Sequence, residues 1–113
     1  PPSLAAIQDL TDNTIVNVAG VLGMVTEETK MVGSVQKILT SLHLGDPTGE
    51  LVVKSWNHKA VDFLKYDEMP VLIQRVRVSS FAGQKTAEFL DNEGSVIVKE
   101  FPGKLALIKY WQS

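Results

Sequence analysis

The sequence contains no cysteine. Disulfide frameworks, thiolate metal sites and cysteine nucleophiles are therefore excluded. No apolar run approaches the roughly 20 residues that a membrane-spanning helix needs, so no membrane association is expected. The chain opens Pro1-Pro2, without methionine or a signal-peptide pattern. It reads as one domain, residues 1–113, excised from a longer protein. Arginine occurs only at Arg75 and Arg77, and aromatic residues make up 7% of the chain. Each arginine and each exposed ring therefore carries unusual weight.

Hydrophobic residues make up 44% of the sequence, enough for a folded core and too many for a disordered chain. Eleven basic and thirteen acidic residues leave a formal charge of −2. That balance argues against nucleic-acid binding driven by net charge alone, but leaves local patches open.

Alternation defines the elements. Leu4, Ala5, Ile7 and Leu10 form a short helical lead-in, followed by a turn at Asp12-Asn13. Thr14 to Val25 is β-branched and interrupted by Gly20 and Gly23, the mark of one long, bent strand. Thr26 to Gly33 is polar and is expected to be a loop. Gln36 to Leu44 and Glu50 to Asn57 alternate around the Gly45-Asp46-Pro47-Thr48-Gly49 turn and form a hairpin. Asn57 is placed to cap a short helix ending at Tyr66. Val71 to Phe81 alternates again and is expected to carry Val71, Ile73, Arg75, Arg77, Ser79 and Phe81 on one face. Ala82-Gly83 turns the chain into Gln84 to Phe89. Ser95 to Lys99 is expected to continue that last strand, and Lys104 to Trp111 forms a terminal helix.

Three strands, a helix, two strands and a closing helix make the layout of the OB-fold. This is an all-β, five-stranded Greek-key barrel, with a helix between its third and fourth strands.

No catalytic or metal constellation emerges. His43 and His58 lie on different elements with no metal-ligand spacing, and no phosphate-binding glycine loop or nucleophile elbow is present. The domain is not expected to be an enzyme or to carry a cofactor.

A binding face does emerge. Strand parity places Trp56 with Lys54 and Val52, opposite Leu51 and Val53. A lysine facing a barrel core is costly, so the Trp56 face points outward; otherwise Trp56 is a core residue. Phe81 ends its strand in parity with the two arginines, either displayed for stacking or folded over the barrel rim. Arg75 and Arg77 suit bidentate phosphate contacts, unless they simply pair with carboxylates on a solvated face. Lys37 and Lys85 are weaker candidates of the same kind, as are Ser41 and His43. Lys30 is placed to close over a ligand, though Glu27-Glu28 beside it opposes phosphate. Exposed rings among cations form the usual platform for single-stranded nucleic acid.

Three segments carry a resemblance: Leu44-Gly45-Asp46-Pro47-Thr48-Gly49, Lys54-Ser55-Trp56-Asn57, and Arg77-Val78-Ser79-Ser80-Phe81-Ala82-Gly83. With the lead-in from Leu4 and the ending Tyr110-Trp111, they resemble the DNA-binding OB domains of the replication protein A large subunit. The likeness is strongest to the second domain of its central tandem pair, or to a telomeric, meiotic or fork-associated relative. The resemblance implies that Trp56 and Phe81 stack on bases and that Arg77 contacts the strand, with Lys37 as a counterpart of the family's basic second strand. It also implies nuclear location and neighbouring OB domains in tandem. Single-stranded DNA is the expected partner, with RNA an open alternative. The competing reading is a protein-interaction OB domain that meets a sister subunit through Leu105, Leu107, Ile108 and Trp111 of its terminal helix.

Overall fold

A computed structural model describes all 113 residues. Its elements are α1 (Leu4–Ile7), β1 (Ile15–Val32), β2 (Val35–Asp46), β3 (Gly49–Trp56), a 3-10 helix (Ala60–Tyr66), β4 (Pro70–Phe81), β5 (Gln84–Glu88), β6 (Val96–Val98) and α2 (Lys104–Gln112). The strands pair in the order β1-β2-β3-β5-β4, and β4 pairs back onto β1, so five strands close a ring. All pairs are antiparallel except β3–β5, which is parallel.

The ring closes because β1 changes partner along its length. Val21 and the residues before it pair with β4, and Val21 onward pairs with β2. The glycines permit this. A Cβ on Gly20 would stand 3.0 Å from the Gly45 carbonyl oxygen, and Gly23 is the extra residue of a bulge between Leu22 and Met24. Inside the ring, Val18, Leu22, Leu42, Leu44, Leu51, Val53, Ile73, Val76 and Val78 form the core. Leu4 and Ile7 of α1 join it and are fully buried. Phe63 brings the 3-10 helix into the same cluster.

The Asp46 turn anchors the lead-in. Asp46 Oδ1 accepts from the amides of Thr48 and Gly49, and Oδ2 accepts from the Leu4 amide at 2.9 Å. Thr48 Oγ1 accepts from the Ala5 amide. This segment is thus a structural clasp, built from one carboxylate, one hydroxyl and the amide of a glycine.

Four local expectations are corrected. Thr26 to Gly33 is not a loop: β1 and β2 run on as a two-stranded ribbon to a turn at Gly33-Ser34. Both faces of this ribbon are largely wet, so it lacks the one-sided apolar pattern of a half-buried strand. Asn57 does not cap a helix. It takes a left-handed φ of 67°, the helix is 3-10, and the Lys59 amide donates to Asp62 while the Ala60 amide donates to Glu27. Val71 to Phe81 does not hold one parity. Gln74 and Arg75 together oppose Asn17, Arg75 takes a φ of 60°, and its amide donates to Asn17 Oδ1. This bulge puts Val71 and Ile73 inward before it and Val76 and Val78 inward after it. Ser95 to Lys99 does not continue β5: a turn of 3-10 helix at Asp91–Glu93 intervenes, and β6 pairs with Leu72 to Gln74 of β4.

Candidate nucleic-acid interface

The outward parity of β3 is as expected. Leu51, Val53 and Ser55 are buried, while Val52, Lys54 and Trp56 are half-exposed between them. The ladders then place β3 against its neighbours. Ser41, Lys54, Glu88 and Arg77 fall in one transverse row across β2, β3, β5 and β4. Arg77 is on this outer face because the Arg75 bulge resets the parity of β4.

Trp56 lies two residues beyond Lys54 and pairs with Leu39. Leu39 is outward by register yet only 3% exposed. Its ladder neighbours are Trp56 on one side and Glu28 on the other. The Trp56 end of the face therefore has a buried leucine in register with the ring.

Beneath it, the Ser55 hydroxyl hydrogen-bonds His58 Nδ1 at 2.5 Å, and His58 Nε2 meets Asp91 at 2.9 Å. The imidazole also packs edge-on against Phe63 and Phe89. Ser55 is fully buried. This serine, histidine and carboxylate tie the end of β3 to the 3-10 helix and the β5–β6 connection, and the hydroxyl is sealed from any substrate.

Phe81 is 61% exposed at the tip of β4. The Ala82-Gly83 turn after it has positive φ at both residues, 53° and 81°, as a two-residue type I′ hairpin requires. The Lys54 ammonium sits 4.1 Å from the Phe81 ring centroid. Phe81 is four residues past Arg77, so the ring folds back over the face to reach Lys54. Arg77 Nη2 meets Glu88 Oε1 and Oε2 at 3.4 and 3.5 Å.

The remaining cations divide. Lys37 lies directly across the ribbon from Lys30, on the same face as Leu39 and Glu28, and Lys30 leans toward Glu28 at 3.6 Å. Like charges in direct register repel unless an anion lies between or beside them. Arg75 points away toward the β5–β6 connection, where its Nε donates to the Glu93 carbonyl. Lys85 follows the inward parity of Ala87, and its ammonium binds Asp12 at 2.8 Å. The structure thus gathers Lys54, Trp56, Arg77 and Phe81 on one face, extends that face along the ribbon through Lys37, and leaves Lys85 at the rim beside α1.

Sequence reading missed Glu88 and the His58 tie. The alternation of Gln84, Thr86 and Glu88 marks the glutamate as outward. Its placement between Lys54 and Arg77 follows only from the β3–β5–β4 strand order.

Comparison with solved structures decides the architecture. A replication protein A heterotrimer bound to single-stranded DNA matches with a TM-score of 0.75 at 14% identity, over 98% of this chain and 27% of that one. The OB domain of Ta0387 from Thermoplasma acidophilum matches at 0.60 with 20% identity, over 76% of this chain and 74% of that one. The fold is the OB barrel. The replication factor A related protein from Methanobacterium thermoautotrophicum also matches, at 0.61 and 23% identity over 85% and 89% of the two chains. Fission yeast Pot1 with single-stranded DNA matches at 0.58 and 18% identity, over 97% of this chain and 47% of that one. In fold, this chain is therefore similar to part of a replication protein A heterotrimer, of which it spans 27%. No protein-family model and no curated protein matches the sequence.

The terminal helix of this OB barrel rests on the barrel itself. Leu107 is buried. A Cβ on Gly23 would meet the Trp111 ring at 3.2 Å, and one on Gly45 would meet the Tyr110 hydroxyl at 3.0 Å. Leu105 faces outward and is 73% exposed.

Proposed function

We propose that this chain is a single-stranded DNA-binding OB module. Bases stack on Trp56 and Phe81, Lys54 and Lys37 meet the phosphate backbone, and Arg77 contacts the strand beside the rings, with Lys30 and Arg75 at the margins. Lys85 is left out because Asp12 holds its ammonium. The observation that carries the reading is the outer row from Lys54 to Arg77, with one exposed ring folded onto it and the other two residues beyond it. Base-on-ring stacking contributes about 1–3 kcal/mol per base and tolerates any sequence.

By the same resemblance, the module works beside neighbouring OB domains in a nuclear protein of DNA replication, repair or telomere maintenance. It corresponds to the second central domain of a replication protein A-like large subunit. Linkage to neighbours raises its modest affinity through effective concentration. The competing reading, a protein-assembly domain, draws on the exposed Leu105 of α2.

The test is the double substitution Trp56→Ala with Phe81→Ala. Neither ring is in the barrel core, so the fold is expected to persist and strand binding to be lost. A folded double variant that still binds oligo-thymidine with unchanged affinity would overturn the platform and leave the assembly reading.

A further inference from the structure

Resting on the stacking platform just proposed, we infer that Glu88 and Arg77 together read the edge of a stacked base, favouring bases that carry an amino group over thymine and favouring guanine most.

The face holds a carboxylate where a purely phosphate-binding surface would hold none. Glu88 is in register with Lys54 on one side and Arg77 on the other. The Glu88 side chain is 23% exposed and that of Arg77 35%. Their contact is loose. One guanidinium nitrogen reaches both carboxylate oxygens at 3.4 and 3.5 Å, at the long limit for a hydrogen bond. A forked pair would spend two donors on two acceptors at shorter range. Here Nε and Nη1 of Arg77 have no protein partner, and the Glu88 oxygens keep free lone pairs. The pair therefore presents unspent acceptors beside unspent donors, on the face that carries the two rings.

That pattern matches some bases and opposes others. A carboxylate accepts only, so it selects N–H groups on a base edge, as when glutamate or aspartate accepts from the cytosine amino group. Guanine offers two adjacent donors, N1–H and the N2 amino group, with the O6 acceptor beside them for Arg77. Cytosine and adenine offer one amino group next to a ring-nitrogen acceptor. Thymine offers a single N3–H between two carbonyl oxygens, and both oxygens repel the carboxylate. Stacking on Trp56 and Phe81 supplies affinity for any base, and the Glu88–Arg77 edge ranks them.

The experiment measures competition among strands of about 12 nucleotides, a length within the range one OB barrel covers. One is all thymidine. The others carry central guanine, cytosine, adenine or inosine substitutions. The unmodified protein is expected to bind the guanine strand about fivefold more tightly than the thymidine strand, the low end for a bidentate base contact. Inosine, which lacks the N2 amino group, is expected to lose much of that gain without any change to the protein. In Glu88→Gln, a near-isosteric change, the thymidine strand is expected to bind more tightly and the preference to collapse. A Glu88–Arg77 pair with a merely structural role would shift all affinities together and leave the ranking intact. Equal ranking in the two proteins, or guanine and inosine binding alike, overturns the inference while the platform stands. Absence of binding to every strand at low salt by both proteins removes the platform and this inference with it.

Discussion

Lys54 and Phe81 are joined by a cation–π contact of 4.1 Å between strand β3 and the tip of strand β4. The ammonium occupies one face of the ring and leaves the ring largely open to solvent. The contact turns a side chain at a hairpin tip into part of a fixed surface, lowering the ordering cost of stacking a base there. A double-mutant cycle on the free protein tests it. Lys54→Met and Phe81→Ala are expected to couple by about 0.5–1 kcal/mol in urea denaturation. Strict additivity would show that the two side chains do not hold one another.

The rim beside α1 carries a pH-dependent tie. Hydrogen bonds from Lys85 and then Ser80 hold the Asp12 carboxyl below its ordinary value of 3.8; charge attraction from Lys85 adds to this and desolvation opposes it. The folded protein therefore binds this proton less readily than the unfolded chain does. The stabilisation is complete above about pH 4 and is lost as pH falls through the lowered folded value. Asp12→Asn is expected to be less stable at neutral pH and to converge with the unmodified protein in acid. Urea midpoints across a pH series check this; parallel curves down to the most acid pH would refute it.

Asp46 predicts a stability effect without a binding effect. Its carboxylate accepts from the Leu4, Thr48 and Gly49 amides and from the Thr48 hydroxyl. Asp46→Ala strands several of these donors and is expected to cost about 2 kcal/mol. Asp46→Asn keeps one carbonyl acceptor and is expected to cost about half as much. Both are read from the urea midpoint, and an unchanged midpoint in the alanine variant would contradict the clasp. Strand affinity at a temperature where both variants are folded is expected to stay the same.

The sequence carried the barrel more clearly than it carried the face. Leu51 and Val53 against Lys54 and Trp56 is an alternation that only a half-buried strand produces, and the structure follows it residue by residue. The glycine bend of β1 was equally legible, because Gly20 and Gly23 stand where backbone and Trp111 crowd the strand. The ribbon was not legible, since a two-sided, water-exposed pair of strands leaves no apolar period. The β4 bulge was hidden for a different reason. It is a backbone event at Arg75, fixed by the side chain of Asn17 from another strand. Arg75 and Arg77 were split by it, Arg75 turning toward Glu93 and Arg77 toward Glu88, while Val71 and Ile73 turned out to belong to the core. Short-range parity was thus reliable near the candidate site and failed across the bulge. The position of Glu88 depends on which strands become neighbours, which is a property of the closed ring rather than of any one segment.

The most direct test of the account is a fluorescence titration of the Trp111→Phe variant, in which Trp56 is the sole tryptophan. Trp111 belongs to α2 and rests on Gly23 of β1, so its removal isolates the signal from the proposed face. Adding oligo-thymidine is expected to quench Trp56, with affinity falling as salt rises. Engagement of about three phosphates gives a log–log slope near −2. Saturable binding that leaves Trp56 unquenched, or no binding even at low salt, would contradict the stacking platform.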